Sequence, residues 1–236
     1  VSSGNYNLGT AKHYTDVGLL TANPEIGEDV TSLFNLLTGY SAPPKWNRLV
    51  VAPLGLHEAV LGMIARESQH ARAGRPASIR AQMNALVDVD VIDALYGASE
   101  AGVDIDLRIR GVCCLRPGIP NLSSRIRVRA TLDRFLEHVR CFRFENGGAE
   151  EFYISSADWM PRNFHRRVEI MTPILDPKVK ERLRDILDVT FADDAKSWEL
   201  QPDGLYENVK IADPGRPQRA QQRFIEIARE RFKAAE

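Results

Sequence analysis

The stretch RFLEHVRCFRFENGGAEEFYISSADWMPRN, residues 134–163, predicts a β-hairpin. Its two arms, 138–144 and 151–158, are rich in aromatic and branched residues, and Asn146-Gly147-Gly148 between them is a turn signal. An antiparallel return of the second arm brings its polar end back to the start of the first. The hairpin therefore predicts a sheet with polar side chains gathered at one end.

Polar side chains of three chemical types belong to this end of the predicted hairpin. If the first arm is a strand, His138 and Arg140 share a face, because side chains two residues apart point the same way. The return arm then brings Ser155, Ser156 and Asp158 towards His138. We expect an imidazole, a guanidinium and a carboxylate to meet at this end of the hairpin.

Length and composition allow a sizeable core, and 236 residues with 44% hydrophobic content fit one large or two small domains. No run approaches the roughly 20 apolar residues that a membrane-spanning helix needs, and no signal-peptide pattern precedes the first motif. We therefore expect a cytoplasmic protein. The three cysteines lack Cys-x-x-Cys spacing, so they predict reduced thiols and neither a disulfide framework nor a zinc site. The chain begins at Val1 inside a structured motif, and we expect a fragment.

Positive charge is concentrated in one segment, although the formal net charge of the chain is only −1. Residues 108–143 contain nine arginines, no lysine and two acids, which gives a local charge of +7. The rigid fork of arginine suits bidentate binding of phosphate oxygens. The alternative is a solvated face whose arginines pair with acids elsewhere in the chain.

Alternating and helical patterns predict β-α-β-α-β over residues 48–109. Helices between strands favour parallel pairing in a covered sheet. A strand is predicted at 167–173, and a helix from Pro177 to about Phe191 has Asp176 as its cap. The charged residues 215–236 predict a terminal helix. The best boundary for a separate leading piece is Pro43-Pro44.

Arg110 follows the last of these strands and precedes Gly111. Ligands of parallel sheets gather at the carboxyl ends of the strands, and glycine lets the backbone approach a ligand closely. A ligand contact and an ordinary surface arginine are equally compatible with this position.

Long motifs connect the chain to a known family. They are SGNYNLGTAKHYTDVGLLT (3–21), QMNALVDVDVIDALYGASEAGV (82–103), RGVCCLRPGIPNLS (110–123), RFLEHVRCFRFENGG (134–148) and SSADWMPRNFHRRVE (155–169). From Val1 to about Asp193 the chain resembles the C-terminal part of the long-chain polyphosphate kinases. It is also similar to the phospholipase D superfamily, whose catalytic unit is two similar α/β domains.

The resemblance implies an α/β fold of the phospholipase D type, with a mixed, largely parallel sheet flanked by helices. Residues 48–236 would form the second such domain and its C-terminal helix. Residues 1–47 would be the end of the first, similar domain.

The resemblance also implies catalytic residues. His138 and Arg140 match the His-x-Lys-like element of the second domain, and Asp158 is its downstream polar partner. A histidine with a pKa near ~6.5 can give or take a proton at working pH. Glu169 is a candidate for orienting a histidine, and a salt bridge with Arg166 or Arg167 is the alternative.

Nucleotide contacts implied by the resemblance are Tyr14, Arg110 and His138, and phosphate contacts are Asn5 and Arg116. An aromatic ring can stack on a base, and an arginine can neutralise phosphate oxygens. Asp16, two residues after Tyr14, could orient a ring or pair with an arginine.

The implied activity is reversible transfer of the terminal phosphate of ATP to inorganic polyphosphate, through a phosphohistidine on an upstream segment that this chain lacks. Mg²⁺ would enter with ATP, held largely by phosphates, and no residue of the chain is assigned as a metal ligand. The implied partners are ATP or ADP, polyphosphate and further copies of the chain, with no nucleic acid. The family also implies possible peripheral association with the inner membrane.

Two other functions remain open: a phosphodiesterase of the phospholipase D type, and a non-catalytic module that binds polyphosphate or nucleotide. The chain departs from the family at Gln82, where lysine is usual, and at Asn121 and Arg125. These departures concern the polyphosphate contacts. We interpret the remaining histidines as structural or surface residues: His13, His57, His70 and His165.

Overall fold

A nine-stranded mixed β-sheet organises the computed structural model, which describes residues 1–4, 6–39 and 45–234. Asn5 and the boundary at Pro43-Pro44 lie outside the described residues. The strands are β1 (Tyr14–Thr15), β2 (Val50–Ala52), β3 (Ser78–Met83), β4 (Asp104–Ile109), β5 (Ile126–Thr131), β6 (Leu136–Glu137), β7 (Cys141–Phe144), β8 (Glu151–Ser155), β9 (Glu169–Pro173), β10 (Ser197–Leu200) and β11 (Tyr206–Asn208). The helices are α1 (Leu8–Ala11), α2 (Pro24–Leu37), α3 (Leu56–Arg72), α4 (Val89–Glu100), α5 (Pro161–His165), α6 (Pro177–Phe191) and α7 (Ala220–Ala234).

The large sheet has the order β11-β10-β5-β4-β3-β7-β8-β9-β2. The α/β class and the mixed sheet flanked by helices are confirmed. The expectation of a largely parallel sheet is wrong, because within this nine-stranded sheet only β3·β4 and β4·β5 pair in parallel. Strand β2 runs in the same direction as β3 but lies at the sheet edge on β9, since β7, β8 and β9 come between them.

The hairpin is confirmed as β7 and β8, joined by a turn at residues 146–148 in which all three residues have positive φ. Two of these are glycines, which adopt this conformation without a steric penalty. His138 and Arg140 lie in the connection between β6 and β7 and not, as predicted, within the strand.

Helices cover both faces of the sheet. The main core packs α3 and α4 against one face, with Phe142 and Phe144 among its buried residues. On the other face, Cys141 and Ile154 pack with Leu183 of α6. Alternation along β7 thus sends neighbouring side chains into different cores, as strand geometry requires. No described helix is long and apolar enough to cross a membrane.

The N-terminal residues form a strap over the second core. We define this strap as residues 1–4 and 6–22; Val1, Val17 and Leu19 pack against the cluster that contains Leu183. Strand β1 of the strap pairs in parallel with β6. This pairing brings a distant part of the sequence next to His138.

The start of α6 provides a stability prediction. The Asp176 side chain accepts hydrogen bonds from the backbone N–H groups of Lys178 and Val179, at 2.8 and 3.0 Å. We expect Asp176→Ala to lower the free energy of unfolding by about 0.5–2 kcal/mol, because it removes this N-cap. Urea unfolding followed by circular dichroism measures the change. Asp185→Ala, at an exposed position on the same helix, is the control, and an equal loss there would contradict the capping explanation.

Candidate functional site

The site lies at the end of the sheet where strands β3, β4 and β8 finish and strand β7 begins. Strands β3, β4 and β8 run in the same direction and β7 runs opposite to them, so these four strand ends lie on the same side of the sheet. Asn84 and Arg110 directly follow β3 and β4, Arg140 directly precedes β7, and Asp158 lies three residues after β8. The topology therefore gathers polar side chains from four separate stretches of sequence.

His138 is held by the strap. Its backbone N–H donates to the Thr15 carbonyl at 3.0 Å, and its ring Nδ1 lies 3.0 Å from Asp16 Oδ1. The Tyr14 ring lies beside the imidazole, with centroids 5.3 Å apart. Asp16 also accepts a hydrogen bond from the Ser3 hydroxyl at 2.9 Å. The Asp16 carboxylate therefore orients the ring, which was one of the two roles expected for it.

The Asp16 carboxylate needs the glycine at position 4. A Cβ added to Gly4 would lie 1.9 Å from Asp16 Oδ2, which is far inside van der Waals contact. Any side chain there would have to displace the carboxylate that orients His138. Packing against Asp16 therefore explains why a glycine occupies position 4, within the motif SGNYN.

Arg140 and Asp158 form a buried ion pair. Arg140 Nε and Nη2 donate to the two carboxylate oxygens of Asp158 at 3.2 and 3.0 Å, and both side chains are about nine-tenths buried. Arg140 Nη1 donates to the Ser3 carbonyl at 3.0 Å and lies 3.0 Å from His138 Nε2. Asp158 thus contacts the His138-x-Arg140 element through Arg140, and Arg140 lies between this carboxylate and the imidazole.

Asn84 links this ion pair to Arg110. Its backbone N–H and its side-chain amide donate to Asp158 Oδ1 at 2.7 and 3.2 Å, and its side-chain oxygen accepts from Arg110 Nε. A Cβ on Gly111 would lie 2.7 Å from the Asn84 carbonyl oxygen, so glycine is required for this close approach. The structure thus brings Arg110 into the network that holds Arg140.

The charges of Arg110 and Arg140 interact with each other and with the Asp158 carboxylate. Burial, followed by the positive charge of Arg140, lowers the pKa of Arg110 from its ordinary value. Guanidinium groups remain protonated in proteins, so the two like charges persist. A bound phosphate would relieve this repulsion through charge-assisted hydrogen bonds. The arrangement can neutralise phosphate oxygens beside the imidazole of His138.

Of the other expected site residues, Glu169 and Arg116 lie away from His138, and Asn5 lies outside the described residues. Glu169 accepts hydrogen bonds from Ser156 and, at 2.6 Å, from the side-chain amide of Asn163, instead of pairing with a histidine or with Arg166 or Arg167. Arg116 is exposed and donates through Nε to the Pro202 carbonyl. The described contacts therefore do not join Glu169 or Arg116 to His138.

Most of the arginine-rich segment forms ion pairs. Five of its nine arginines pair with carboxylates: Arg125, Arg127, Arg129, Arg140 and Arg143. Arg108 is buried and donates to Thr131, Ser197 and the Thr190 carbonyl. The ion-paired alternative therefore describes most of the segment, whereas Arg110 donates to Asn84 in the network around Arg140.

Sequence reasoning missed Asn84 and the contribution of Ser3. Asn84 follows β3 directly, so the rule that selected Arg110 after β4 could have selected it. Ser3 gave no local signal, because its contacts depend on docking of the strap. Gln82, the departure from the family, is buried and its amide lies 3.4 Å from a carboxylate oxygen of Glu137.

Comparisons with known proteins agree on one family. The family model described as polyphosphate kinase C-terminal domain 2 matches residues 49–221, and the one described as C-terminal domain 1 matches residues 1–43. Polyphosphate kinases from Synechocystis sp. and Thermosynechococcus vestitus are 51% and 52% identical to the chain, over 95% and 93% of its length. These matches cover 31% and 30% of the relatives, so the chain spans about a third of their length.

A solved structure gives the same result. The crystal structure of polyphosphate kinase from Porphyromonas gingivalis matches with a TM-score of 0.94 at 40% sequence identity. The match covers 99% of this chain and 36% of that one. The strap and the large sheet are therefore both part of the shared architecture.

Proposed function

Because the chain belongs to the polyphosphate kinase family, we propose that it supplies one side of a site that reversibly transfers the terminal phosphate of ATP to inorganic polyphosphate. The observation that carries the proposal is the group formed by His138, Arg140 and Arg110 beside the Tyr14 ring. Phosphoryl transfer depends mainly on positioning and on stabilising charge, which such a group provides.

Each side chain has a role in this proposal. Tyr14 stacks on the nucleotide base, and Arg110 binds phosphate oxygens. His138, oriented by Asp16, holds the transferring phosphoryl group or protonates the oxygen that leaves it. Arg140 adds positive charge beside the imidazole, and Asp158 keeps its guanidinium in place.

The covalent step takes place on a histidine of another segment of the complete enzyme. The bond between the terminal phosphorus of ATP and its bridging oxygen breaks, a phosphorus–nitrogen bond forms on that histidine, and ADP leaves. The terminal oxygen of polyphosphate then attacks the phosphorus of the phosphohistidine, a new phosphorus–oxygen bond forms, the phosphorus–nitrogen bond breaks, and the histidine is released. His138 acts in both steps as the proton-exchanging group on the opposite side of the phosphate.

Three further assignments complete the proposed site. Asn5 and Arg116 contact polyphosphate oxygens, as the family resemblance implies. Glu169 acts as a positioning residue, because it fixes Ser156 and Asn163 in the segment that follows β8. Self-association and peripheral contact with the inner membrane on the cytoplasmic side belong to the same proposal, and both rest on the resemblance.

The carboxylates around His138 do not form a magnesium site. Mg²⁺ prefers several oxygen ligands, whereas Asp16 is engaged by His138 and Ser3, and Asp158 by Arg140 and Asn84. We therefore propose that Mg²⁺ enters with ATP, held by phosphate oxygens, and no step assigned to this chain passes through the ion.

Replacing Arg110 tests the proposed site. We expect Arg110→Ala to lower the kcat/KM of the complete enzyme for ATP by about 10- to 100-fold, because a hydrogen bond to a charged group contributes about 1.5–3 kcal/mol. Arg127→Ala is the matched control, since Arg127 pairs with Asp106 on an exposed surface. Steady-state kinetics with ATP as the varied substrate measures both. Equal kinetics of the two variants would remove Arg110 from the site.

A further inference from the structure

A second group of potential ligands lies outside the His138 site. His57 stands in the first turn of α3, Asp88 caps α4, and His165 ends α5. One ligand atom from each of the three lies within 4.8 Å of the others. Asp90, in the first turn of α4, places Oδ2 3.8 Å from His57 Nε2. Two imidazoles and one carboxylate therefore converge, and a second carboxylate approaches one of the imidazoles.

Packing and hydrogen bonds hold two members of this group, His57 and Asp88, in place. The His57 side chain is only 9% exposed, and its ring packs against those of Phe164 and His165, with centroids 5.0 Å away in each case. Asp88 Oδ1 lies 3.0 Å from His57 Nε2 and accepts from the Val91 backbone N–H. These two ligands are therefore preorganised, whereas Asp90 and His165 are exposed and free to adjust.

We propose that His57, Asp88, Asp90 and His165 bind one Zn²⁺ ion. Zinc favours four ligands in tetrahedral geometry and accepts imidazole nitrogen together with carboxylate oxygen. Mg²⁺ favours oxygen ligands alone and six-fold geometry, so two imidazoles discriminate against it. Binding needs the lone pair of His57 Nε2, so the proton shared there with Asp88 moves to Nδ1 of the same ring.

The ion would connect two segments that carry residues of the proposed phosphotransfer site. Asp88 lies four residues after Asn84, and His165 lies seven residues after Asp158. The two segments already meet where the Asp88 N–H donates to the Trp159 carbonyl at 3.1 Å. Zinc would join them a second time and stiffen the support of the Asn84–Asp158 contact. This role differs from the structural or surface role that we expected for His57 and His165.

Calorimetric titration of the chelator-treated, untagged 236-residue chain with ZnCl₂ tests the proposal. We expect one equivalent to bind and the melting temperature to rise with it. His165→Asn and Asp90→Asn should each weaken binding by at least ~10-fold, and because both positions are exposed, the fold should survive. His13→Asn, at an exposed histidine of the strap, is the matched control and should bind zinc like the parent.

Cobalt substitution gives a second readout. Co²⁺ in the site should show the intense visible absorption of a four-coordinate ion, and His165→Asn should lose it. The proposal is overturned if the parent shows no saturable zinc binding, if both ligand variants bind zinc as tightly as the His13→Asn control, or if Mg²⁺ competes on equal terms. The four residues would then be a hydrogen-bonded cap of α4.

Discussion

Replacing His138 with glutamine is expected to lower turnover of the complete enzyme by about 10²- to 10⁴-fold, the usual contribution of a proton-exchanging side chain. Glutamine keeps a hydrogen-bonding group beside Asp16 but cannot exchange a proton at working pH. The His138 side chain is partly exposed at the sheet edge, so the fold should not depend on it. Steady-state turnover in both directions, together with the melting temperature, measures the two effects separately.

His13→Gln is the matched control, because His13 is an exposed histidine of the same strap. It should retain full turnover. Full activity of His138→Gln would limit His138 to a phosphate contact without proton transfer. Unfolding of His138→Ala would instead make it a structural residue that holds the strap.

Replacing Asp158 with alanine is expected to lower the free energy of unfolding by about 3–5 kcal/mol, the usual loss when one partner of a buried ion pair is removed. The substitution leaves the Arg140 guanidinium buried without its carboxylate and also removes the acceptor of two Asn84 hydrogen bonds. Urea unfolding of the chain, followed by circular dichroism, measures the loss.

Two further variants test whether the loss of stability comes from the buried Arg140–Asp158 ion pair. Asp104→Ala removes one partner of the exposed pair with Arg125 and should cost at most about 1 kcal/mol. In the double variant Arg140→Met with Asp158→Ala, no buried charge remains unpaired, so part of the stability should return. A loss in Asp158→Ala no larger than that in Asp104→Ala would contradict a structural role for the pair.

Local patterns in the sequence predicted most of the elements correctly. Helix α6 begins after the expected cap Asp176, and the turn at 146–148 joins the expected hairpin. Caps, turns and side-chain periods involve residues close together in the chain, so a sequence displays them directly. Local patterns could not predict which strand lies beside β2, because β7, β8 and β9, which come much later in the sequence, lie between β2 and β3 in the sheet.

The residues of the candidate site likewise include some that local sequence features could select and some that they could not. Arg110 could be selected because a strand end and a following glycine are local features. The carboxylate that contacts the His138 ring could not be selected, because the sequence offers both Asp16 and Asp158 and does not show which of them lies against the ring. Asp158 is 20 residues from His138, whereas Asp16, the actual partner, is 122 residues away.

The sequence by itself determined the family, the α/β class and the hairpin, because motifs, turns and side-chain periods are properties of short stretches. Only the tertiary structure decided which carboxylate contacts which side chain. Docking of the strap through β1 and β6 gives Asp16 to His138, and the meeting of the β3, β7 and β8 ends gives Asp158 to Arg140. The physical reason is that an ion pair or hydrogen bond forms according to distance in space, which strand order sets and separation along the chain does not.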